Sequence, residues 1–379
     1  MKYIDEYRDS RLARALAAAI ARTVEPSTRY HFMEFCGGHT HAISRYGIED
    51  LLPANVQLIH GPGCPVCVLP VGRIDAAIRL AARPEVTLCT YGDLMRVPGS
   101  KGASLMSARA AGADVRMVYS SRDAVAIAAA APTRQVVFFA IGFETTTPPT
   151  ALAIRLAQRR GLTNFTVFCN HVLTPAAIQN ILESPDVREL GRVHIDGFIG
   201  PAHVSTVIGT QPYAFFAEEF EKPVVVAGFE PLDVLQAVLM LIRQVNDGRH
   251  EVENQYSRAV RRDGNEKAKA EVAEFFELRK RFEWRGLGVV PYSGLRLKAK
   301  YAAFDAERRF SVEEISASDN PACECGAILR GVKKPADCKL FGTVCTPDTP
   351  MGSCMVSAEG ACAAHWTYGR FRDRARMAS

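Results

Sequence analysis

Short, continuous apolar runs recur through the first two thirds of the chain, separated by stretches with helical periodicity. Apolar runs of this length without alternation are typical of strands buried on both faces of a parallel sheet. An amphipathic helix is predicted over residues 11–24, before the first strand, and helices between strands, such as the one predicted over 74–82, would supply right-handed crossovers. The chain is therefore predicted to be α/β. The predicted strands cover residues 30–35, 56–59, 86–89, 115–119, 136–141, 165–169, 195–199 and 224–227.

The pattern restarts after Pro132, which predicts two α/β domains of about four strands each, over residues 1–125 and 126–245. Residues 245–285 are charge-rich and carry apolar side chains at helical spacing, so we expect a helical connector with one buried face. The apolar positions are Val272, Phe275, Phe276 and Phe282. From Gly286 onward the chain is poor in regular pattern and rich in Gly, Pro and Cys. Residues 246–379 are thus predicted to form a third, helical and loop-rich domain that something other than an apolar core holds together.

Composition excludes several classes of function. The chain has 379 residues, of which 48% are hydrophobic and 23% charged, and its net charge is only +5. No block of Lys and Arg marks a nucleic-acid site. Acidic residues at Asp5, Glu6 and Asp9 argue against a secretory signal, and the longest apolar runs are too short to span a bilayer. We therefore expect a cytoplasmic protein without nucleic-acid or membrane partners.

Eleven cysteines are many for such a protein, and six of them lie between Cys323 and Cys362. In a reducing compartment, clusters of cysteines indicate metal or redox chemistry more often than structural disulfides. The cysteines that carry an interpretable spacing fall into three groups, at Cys36, at Cys64 and Cys67, and near the C-terminus. Cys89 and Cys169 stand alone, and the sequence gives them no role.

The first group is Cys36-Gly37-Gly38-His39-Thr40-His41, between a predicted strand and a predicted helix. Backbone N–H groups at a helix start favour a thiolate, so Cys36 is predicted to be a nucleophile of low pKa or a metal ligand. His39 and His41 could add nitrogen ligands or carry protons. The alternative is a buried structural cysteine in a tight turn.

The second group is Gly61-Pro62-Gly63-Cys64-Pro65-Val66-Cys67, directly after the strand predicted over residues 56–59. The Cys-x-x-Cys spacing allows either a redox-active pair or two ligands to one metal, and two unrelated buried thiols are the plainer reading. If this strand neighbours the strand at 30–35, Cys36, Cys64 and Cys67 emerge at the same sheet edge and could share one site. His60 would lie near it.

The third group is Cys325, Cys338, Cys345 and Cys362, with 12, 6 and 16 residues between successive members. Four thiolates in a loop-rich segment can hold tetrahedral zinc or an iron–sulfur cluster. The long intervals favour a cluster over a zinc ribbon, which usually has two close Cys pairs. Cys323 and Cys354 lie in the same region without an assigned role. No phosphate-binding loop or serine nucleophile elbow is present in the sequence.

Two further motifs follow predicted strands, Ile141-Gly142-Phe143-Glu144 and Ala227-Gly228-Phe229-Glu230. Ligand sites of open α/β sheets lie at the carboxyl ends of strands, where both motifs would be. Thr145, Thr146 and Thr147 after the first motif could bind a ligand, although helix capping is the commoner role. His203 also follows a predicted strand and could face the same cleft, although a lone histidine is more often structural.

Together these motifs resemble the HypD hydrogenase maturation proteins. The resemblance rests on Cys36-Gly-Gly-His-Thr-His41, Gly61-Pro-Gly-Cys-Pro-Val-Cys67, Gly142-Phe-Glu-Thr-Thr146, Cys345-Thr-Pro and the run from Cys354 to Ala364, and it covers nearly the whole chain. It implies two α/β domains and a C-terminal domain carrying a 4Fe–4S cluster. It also implies a redox-active assembly scaffold for the Fe(CN)2CO unit of nickel–iron hydrogenases, rather than a conventional turnover enzyme.

The resemblance implies roles for individual residues and partners. Cys36 would hold the nascent iron together with a cysteine of the partner HypC, while HypE would donate cyanide. Cys64 and Cys67 would ligate iron or pass electrons as a dithiol. Glu359 matches an acidic residue beside the last cluster cysteine. The implied cluster ligands are Cys325, Cys338, Cys345 and Cys362.

Two other functions fit the cysteines. An iron–sulfur thiol–disulfide reductase would reduce a model disulfide without HypC. A zinc-stabilised binding module would contain zinc and tolerate the loss of Cys36. The histidines argue against the second of these.

Overall fold

Two parallel β-sheets form the centre of the protein. The computed structural model describes residues 5–189 and 193–370. One sheet has five strands in the order β2-β1-β7-β8-β9, and the other has four in the order β4-β3-β5-β6. The strands are β1 (Tyr30–Glu34), β2 (Val56–His60), β3 (Val86–Thr90), β4 (Val115–Met117), β5 (Gln135–Gly142), β6 (Phe165–His171), β7 (Gly197–Pro201), β8 (Val224–Ala227), β9 (Val252–Asn254), β10 (Phe276–Leu278), β11 (Arg281–Trp284), β12 (Gly288–Pro291) and β13 (Leu295–Leu297).

All eight predicted strands are present, and the α/β class with parallel sheets is confirmed. The predicted grouping of strands is wrong, because the first four do not form one sheet. The chain makes β1 and β2 of the five-stranded sheet, then all of the four-stranded sheet, and returns to add β7, β8 and β9. Neither sheet respects the predicted boundary at residues 125 and 126. Apolar runs identify strands but not their neighbours, since β1 pairs with both β2 and β7.

Helices cover both faces of the sheets. They are α1 (Ser10–Thr23), α2 (Gly37–Tyr46), α3 (Val71–Ala81), α4 (Leu105–Ala110), α5 (Ser121–Ala130), α6 (Thr147–Arg159), α7 (Thr174–Leu182), α8 (Pro185–Arg188), α9 (Ala202–Ile208), α10 (Ala214–Phe220), α11 (Pro231–Asn246), α12 (Glu266–Phe275), α13 (Ala306–Arg309), α14 (Cys325–Leu329) and α15 (Ala361–Ala364). Asp9 begins α1 by accepting hydrogen bonds from the backbone N–H groups of Arg11 and Leu12, and α1 then packs against α11.

The largest hydrophobic core lies between the two sheets. Met33 and Phe198 of the five-stranded sheet share it with Phe139 and Phe168 of the four-stranded sheet. The same core includes most of the C-terminal cysteines together with Cys64 and Cys67. The cysteine-rich segment is therefore packed into the middle of the molecule, against the loops that follow β1 and β2.

The predicted helical connector is only partly helical. Helix α12 ends at Phe275, and Phe276 and Phe282 lie in short strands that pair in antiparallel fashion. Phe276 lies opposite Leu297, and Phe282 lies opposite Val290. Phe275 is buried from α12, as predicted, whereas Phe276 and Phe282 are buried from strands, so the helical spacing predicts the wrong conformation for these two. Beyond residue 297 the chain is rich in loops and short helices, as expected.

The Gly142-Phe143-Glu144 motif connects the end of β5 to the start of α7 through hydrogen bonds. The buried Glu144 carboxylate accepts hydrogen bonds from the backbone N–H of Thr174 (2.8 Å) and from its hydroxyl (2.9 Å). Burial raises the pKa of Glu144 to about 7 despite these bonds. The Thr146 and Thr147 hydroxyls both donate to the Phe143 carbonyl, which favours a role in the turn over ligand binding.

We expect Glu144 to make stability depend on pH. Its pKa is higher in the folded than in the unfolded chain, so the stability it contributes is complete below about pH 4.5 and is lost as the pH rises through about 7. The loss amounts to about 3 kcal/mol. Glu144→Gln keeps an acceptor for the Thr174 N–H and cannot ionise. Urea unfolding should find the variant more stable than the wild type at pH 8 but not at pH 5; equal stability at pH 8 would contradict the assignment.

Candidate functional site

The loops after β1 and β2 lie side by side at the carboxyl edge of the five-stranded sheet. The two strands are parallel neighbours, as the shared-site hypothesis required. The Gly37 N–H donates to the Gly63 carbonyl at 3.1 Å. A Cβ atom on Gly63 would lie 2.3 Å from the backbone nitrogen of Cys36, so only glycine allows the loops to approach this closely. Cys36 is thereby brought next to the loop that carries Cys64.

Cys36 is the N-cap residue of α2 and is almost completely buried. Burial and the nearby Glu359 and Glu34 carboxylates raise the pKa of its thiol well above the usual value, although the Gly38 and His39 N–H groups act in the opposite direction. The predicted low pKa is therefore wrong for the chain by itself, because desolvation outweighs the helix start. A buried thiol of this kind loses its proton when a cation binds it.

His203 lies beside the Cys36 thiol. Its Nδ1 atom lies 3.5 Å from Cys36 Sγ, and its ring packs against Phe229 with 5.1 Å between ring centroids. Burial lowers the pKa of His203 to about 4, so its imidazole is neutral. The sequence predicted that His203 follows a strand and could face the cleft of the two Gly-Phe-Glu motifs, but not that it lies beside Cys36. The β1–β7 pairing, which no local pattern signals, brings it to Cys36.

His39 and His41 make contacts that attach α2 to its surroundings. His39 Nε2 lies 3.1 Å from the Ala227 carbonyl and 3.0 Å from that of Gly228, and burial lowers its pKa. His41 Nδ1 lies 3.3 Å from the Ala358 carbonyl. These bonds give both rings structural partners. A role in handling protons stays a prediction for both.

A buried carboxylate, that of Glu34, holds the Cys36 loop in place by hydrogen bonds. Glu34 is fully buried, and it accepts hydrogen bonds from the Cys36 N–H (2.9 Å) and from the Thr40 hydroxyl. His60 Nδ1 lies 2.8 Å from the same carboxylate. Burial alone would lower the pKa of His60, but the bond and charge of Glu34 raise it. The pair therefore links the ends of β1 and β2.

Cys64 and Cys67 form a buried disulfide with 5.2 Å between their Cα atoms. The Ser353 hydroxyl donates to the Cys67 carbonyl at 2.8 Å, and Cys67 Sγ lies 3.9 Å from the Ser353 carbonyl oxygen. Ser353 immediately precedes Cys354. The disulfide thus directly contacts the C-terminal cysteine segment.

The C-terminal thiols converge on Cys325, the first residue of α14. The thiols of Cys323 and Cys354, together with burial, raise the pKa of the Cys325 thiol well above the usual value, and that of Cys362 acts in the opposite direction. A Cβ atom on Gly352 would lie 2.4 Å from Cys323 Sγ and 2.6 Å from Cys325 Sγ, so the backbone there packs against sulfur. The charges of Cys338 and Cys345 interact with that of Cys362.

Cys325 has the predicted ligand Cys362 in its neighbourhood, together with Cys323 and Cys354, which the sequence left unassigned. Within residues 5–189 and 193–370, no group of three or more His, Cys, Asp or Glu side chains is arranged to hold a metal ion. The 4Fe–4S cluster and its four ligands stay a prediction. Cys89 and Cys169 are buried, and burial raises the pKa of each thiol to about 12, so both are protonated at neutral pH.

Glu359 reaches the Cys36 loop from the C-terminal segment. A Cβ atom on Gly37 would lie 2.4 Å from Glu359 Cβ, so the helix start and the acidic residue are in close contact. Desolvation, Asp93 and Glu34 raise the pKa of its carboxyl group. The sequence located Glu359 only by its nearness to Cys362. The fold brings it to Cys36.

Comparison with known proteins agrees with these motifs. The HypD family model, described as the hydrogenase formation hypA family, matches residues 11–369. The chain belongs to the HypD family. It is 78% identical to the hydrogenase maturation factor HypD of Rhizobium leguminosarum bv. viciae over 100% of this chain and 98% of that protein. It is 48% identical to the HypD of Escherichia coli over 97% and 98% of the two chains.

Membership of the HypD family supports a role in hydrogenase maturation. Three of the motifs that carry the resemblance meet at the observed site, namely the Cys36 loop, the disulfide loop and the run from Cys354 to Ala364. No helix in the described part of this HypD-family chain is both long and apolar enough to cross a membrane.

The contact between the two loops predicts a strong effect of Gly63→Ala. The added methyl group would collide with the Cys36 backbone, and overpacking of this kind costs about 1–3 kcal/mol. Urea unfolding measures the loss. Gly92→Ala is the control, since its Cβ would meet only the Met117 side chain, at 3.0 Å from Sδ. Equal effects of the two substitutions would contradict the close approach of the loops.

Proposed function

We propose that this chain is a scaffold on which the Fe(CN)2CO unit of nickel–iron hydrogenases is assembled. The observation that supports this most directly is the position of Cys36. Its thiol lies at the carboxyl edge of a parallel sheet, beside His203, Glu359 and the loop that carries the Cys64–Cys67 disulfide. Ligand sites of α/β proteins lie at this edge. The iron is cargo in this scheme and leaves with the finished unit.

Thiolates suit this cargo. Iron that carries cyanide and carbonyl prefers soft, strongly donating ligands, and Cys36 would provide one of them. A cysteine of a HypC-type partner would provide the second, and a HypE-type partner would bring cyanide transiently. His203 is a neutral imidazole 3.5 Å from the thiol, and with a pKa of about 4 it can pass on the proton that iron displaces but does not retain it at neutral pH. Cys36 thus binds the cargo, and His203 relays its proton.

The disulfide and the C-terminal thiols form the redox part of the proposal. Reduction of the Cys64–Cys67 disulfide consumes two electrons and two protons and yields two thiols, so a one-electron donor must act twice. By family resemblance Cys325, Cys338, Cys345 and Cys362 would hold a 4Fe–4S cluster, which supplies one-electron transfer when bound. The convergence of thiols on Cys325 and the backbone packed against sulfur at Gly352 suit such a group. The cytoplasm, where we place this protein, can keep the pair cycling between its two states.

We expect Cys36→Ala to abolish iron assembly. The protein would be co-expressed with a HypC-type partner and purified without oxygen, and infrared spectra would be recorded where metal-bound cyanide and carbonyl absorb. Bands should appear in the wild type and in the control Cys89→Ala, whose thiol is buried elsewhere, but not in Cys36→Ala. Bands that persist in Cys36→Ala would exclude Cys36 as the iron ligand. A blank spectrum in every sample, with a reducible cluster, would favour the thiol–disulfide reductase, and zinc without a cluster would favour the binding module.

The relay predicts that the disulfide pair is needed for assembly but not for cluster binding. Cys64→Ala and Cys67→Ala should each lower the cyanide and carbonyl bands at least tenfold, because the pair can no longer accept electrons. The visible absorption of the cluster should stay at the wild-type level. Intact assembly in both variants would rule out the relay, while loss of the absorption would assign the pair a structural role.

A further inference from the structure

Two adjoining cavities lie beside the Gly142-Phe143-Glu144 motif, to which the proposed iron assembly gives no role. Their volumes are about 550 and 270 Å³, and both are lined by Glu144, Leu173, Ile208 and Leu278. The larger cavity falls within the range of about 300–1,000 Å³ that is typical of small-molecule sites. None of the described residues that line the two cavities is a cysteine, so this region is separate from the thiol sites.

The Glu144 carboxylate is buried without a counter-charge. Glu144 is only 6% exposed, and the groups that bond to its carboxylate are neutral. They are its own backbone N–H and the N–H and hydroxyl of Thr174, at 2.8 and 2.9 Å. No Lys, Arg or His side chain among the described residues acts on its pKa. A buried charge without a partner of opposite sign is costly, so a cation bound in the adjoining cavity would stabilise this carboxylate.

The walls of the larger cavity favour a cation over an anion. Of the described residues that line it, only Glu144 and Glu183 carry a charge, and both charges are negative. Phe215, Phe216 and Tyr292 add aromatic rings. The faces of such rings attract ammonium and guanidinium groups. The cavity therefore combines an apolar, aromatic wall with a negative charge at its buried end.

The smaller cavity does not supply the missing counter-charge. Among the described residues that line it, the one basic side chain is that of Lys269, whose Nζ donates to the Asp263 carbonyl at 2.7 Å. Its second carboxylate, that of Glu277, accepts from Arg296 Nε at 2.9 Å. Glu144 is thus the carboxylate of these two cavities that is both buried and unpaired.

Aromatic side chains at the mouth of the larger cavity are accessible to a ligand. Phe215 is 41% exposed and Tyr292 is 58% exposed. Tyr292 also has a φ of +51°, in the left-handed region that a bulky side chain rarely adopts. Such backbone conformations are concentrated at functional sites, including sites that hold a ligand.

We propose that the cavity beside Glu144 binds a small organic cation, with a primary ammonium or guanidinium group on an apolar body. The Glu144 carboxylate pairs with the positive charge, and the aromatic wall contacts the apolar body. The binding is non-covalent and goes beyond the proposed iron assembly, on which it does not rest.

Isothermal titration calorimetry of the full chain at pH 8, where Glu144 is mostly ionised, tests this site. The ligands tested are phenethylamine and hexylamine, each compared with the alcohol that carries a hydroxyl in place of the amine. In the wild type each amine should bind at one site, at least about tenfold more tightly than its alcohol, because a charged pair is stronger than a neutral hydrogen bond. Glu144→Gln keeps an acceptor for the Thr174 N–H but removes the charge, so this preference for the amine should disappear.

Glu183→Gln is the matched control. It removes a charge of the same sign from the same cavity at an exposed position, where water and salt screen it, so the affinity for the amines should fall by no more than about threefold. Tyr292→Gly removes one aromatic ring and suits the φ of +51°, and it should weaken the binding of phenethylamine by at least about threefold.

No saturable binding of either amine to the wild type, or no preference over the alcohols, overturns the inference. Equal effects of Glu144→Gln and Glu183→Gln also overturn it. If Glu144→Gln does not fold, Tyr292→Gly decides, since an unchanged affinity contradicts the aromatic wall. Binding of the peptide acetyl-Leu-Lys-Leu-amide without binding of either amine would assign the cavity to a side chain of a partner protein and overturn the small-molecule site.

Discussion

The site depends on one buried carboxylate. Glu34 ends β1 inside the protein, and its oxygens receive the Cys36 N–H, the Thr40 hydroxyl and the His60 ring. A buried carboxylate without hydrogen-bond partners would be costly. The three partners of Glu34 belong to three different elements of the site. The loop before α2, the first turns of α2 and the end of β2 are therefore fixed relative to one another. The Cys36 thiol owes its position to this arrangement.

The path of the chain explains what the sequence could and could not predict. Each strand was predictable because a run of apolar residues buried on both faces has a local signature. The same runs say nothing of order, since any parallel strand can pair with any other. Because β7 pairs with β1, His203 reaches the Cys36 thiol from 167 residues away. The loops of Cys36 and Cys64 were predictable as neighbours since β1 and β2 are consecutive along the sheet edge.

The chemical errors have a physical origin too. A helix start favours a thiolate by local dipoles, which the sequence reveals, whereas desolvation and the approach of Glu359 depend on the tertiary fold. At Cys36 the second effect is larger. Phe276 and Phe282 likewise fit a helical period by coincidence. Their antiparallel pairing with Leu297 and Val290 determines their conformation. Periodicity is a weak guide where segments are short.

The C-terminal segment packs into the largest hydrophobic core and is also joined to the rest of the protein by specific contacts. Ser353 bonds to the disulfide loop, Ala358 accepts from His41, and Glu359 lies against Gly37. These contacts hold the cysteines within reach of the Cys64–Cys67 pair and bring an acidic group to Cys36. Burial keeps the Cys36 thiol from acting as a free nucleophile, whereas a bound cation would stabilise its thiolate. The same packing that raises its pKa therefore favours metal binding at Cys36 over covalent catalysis.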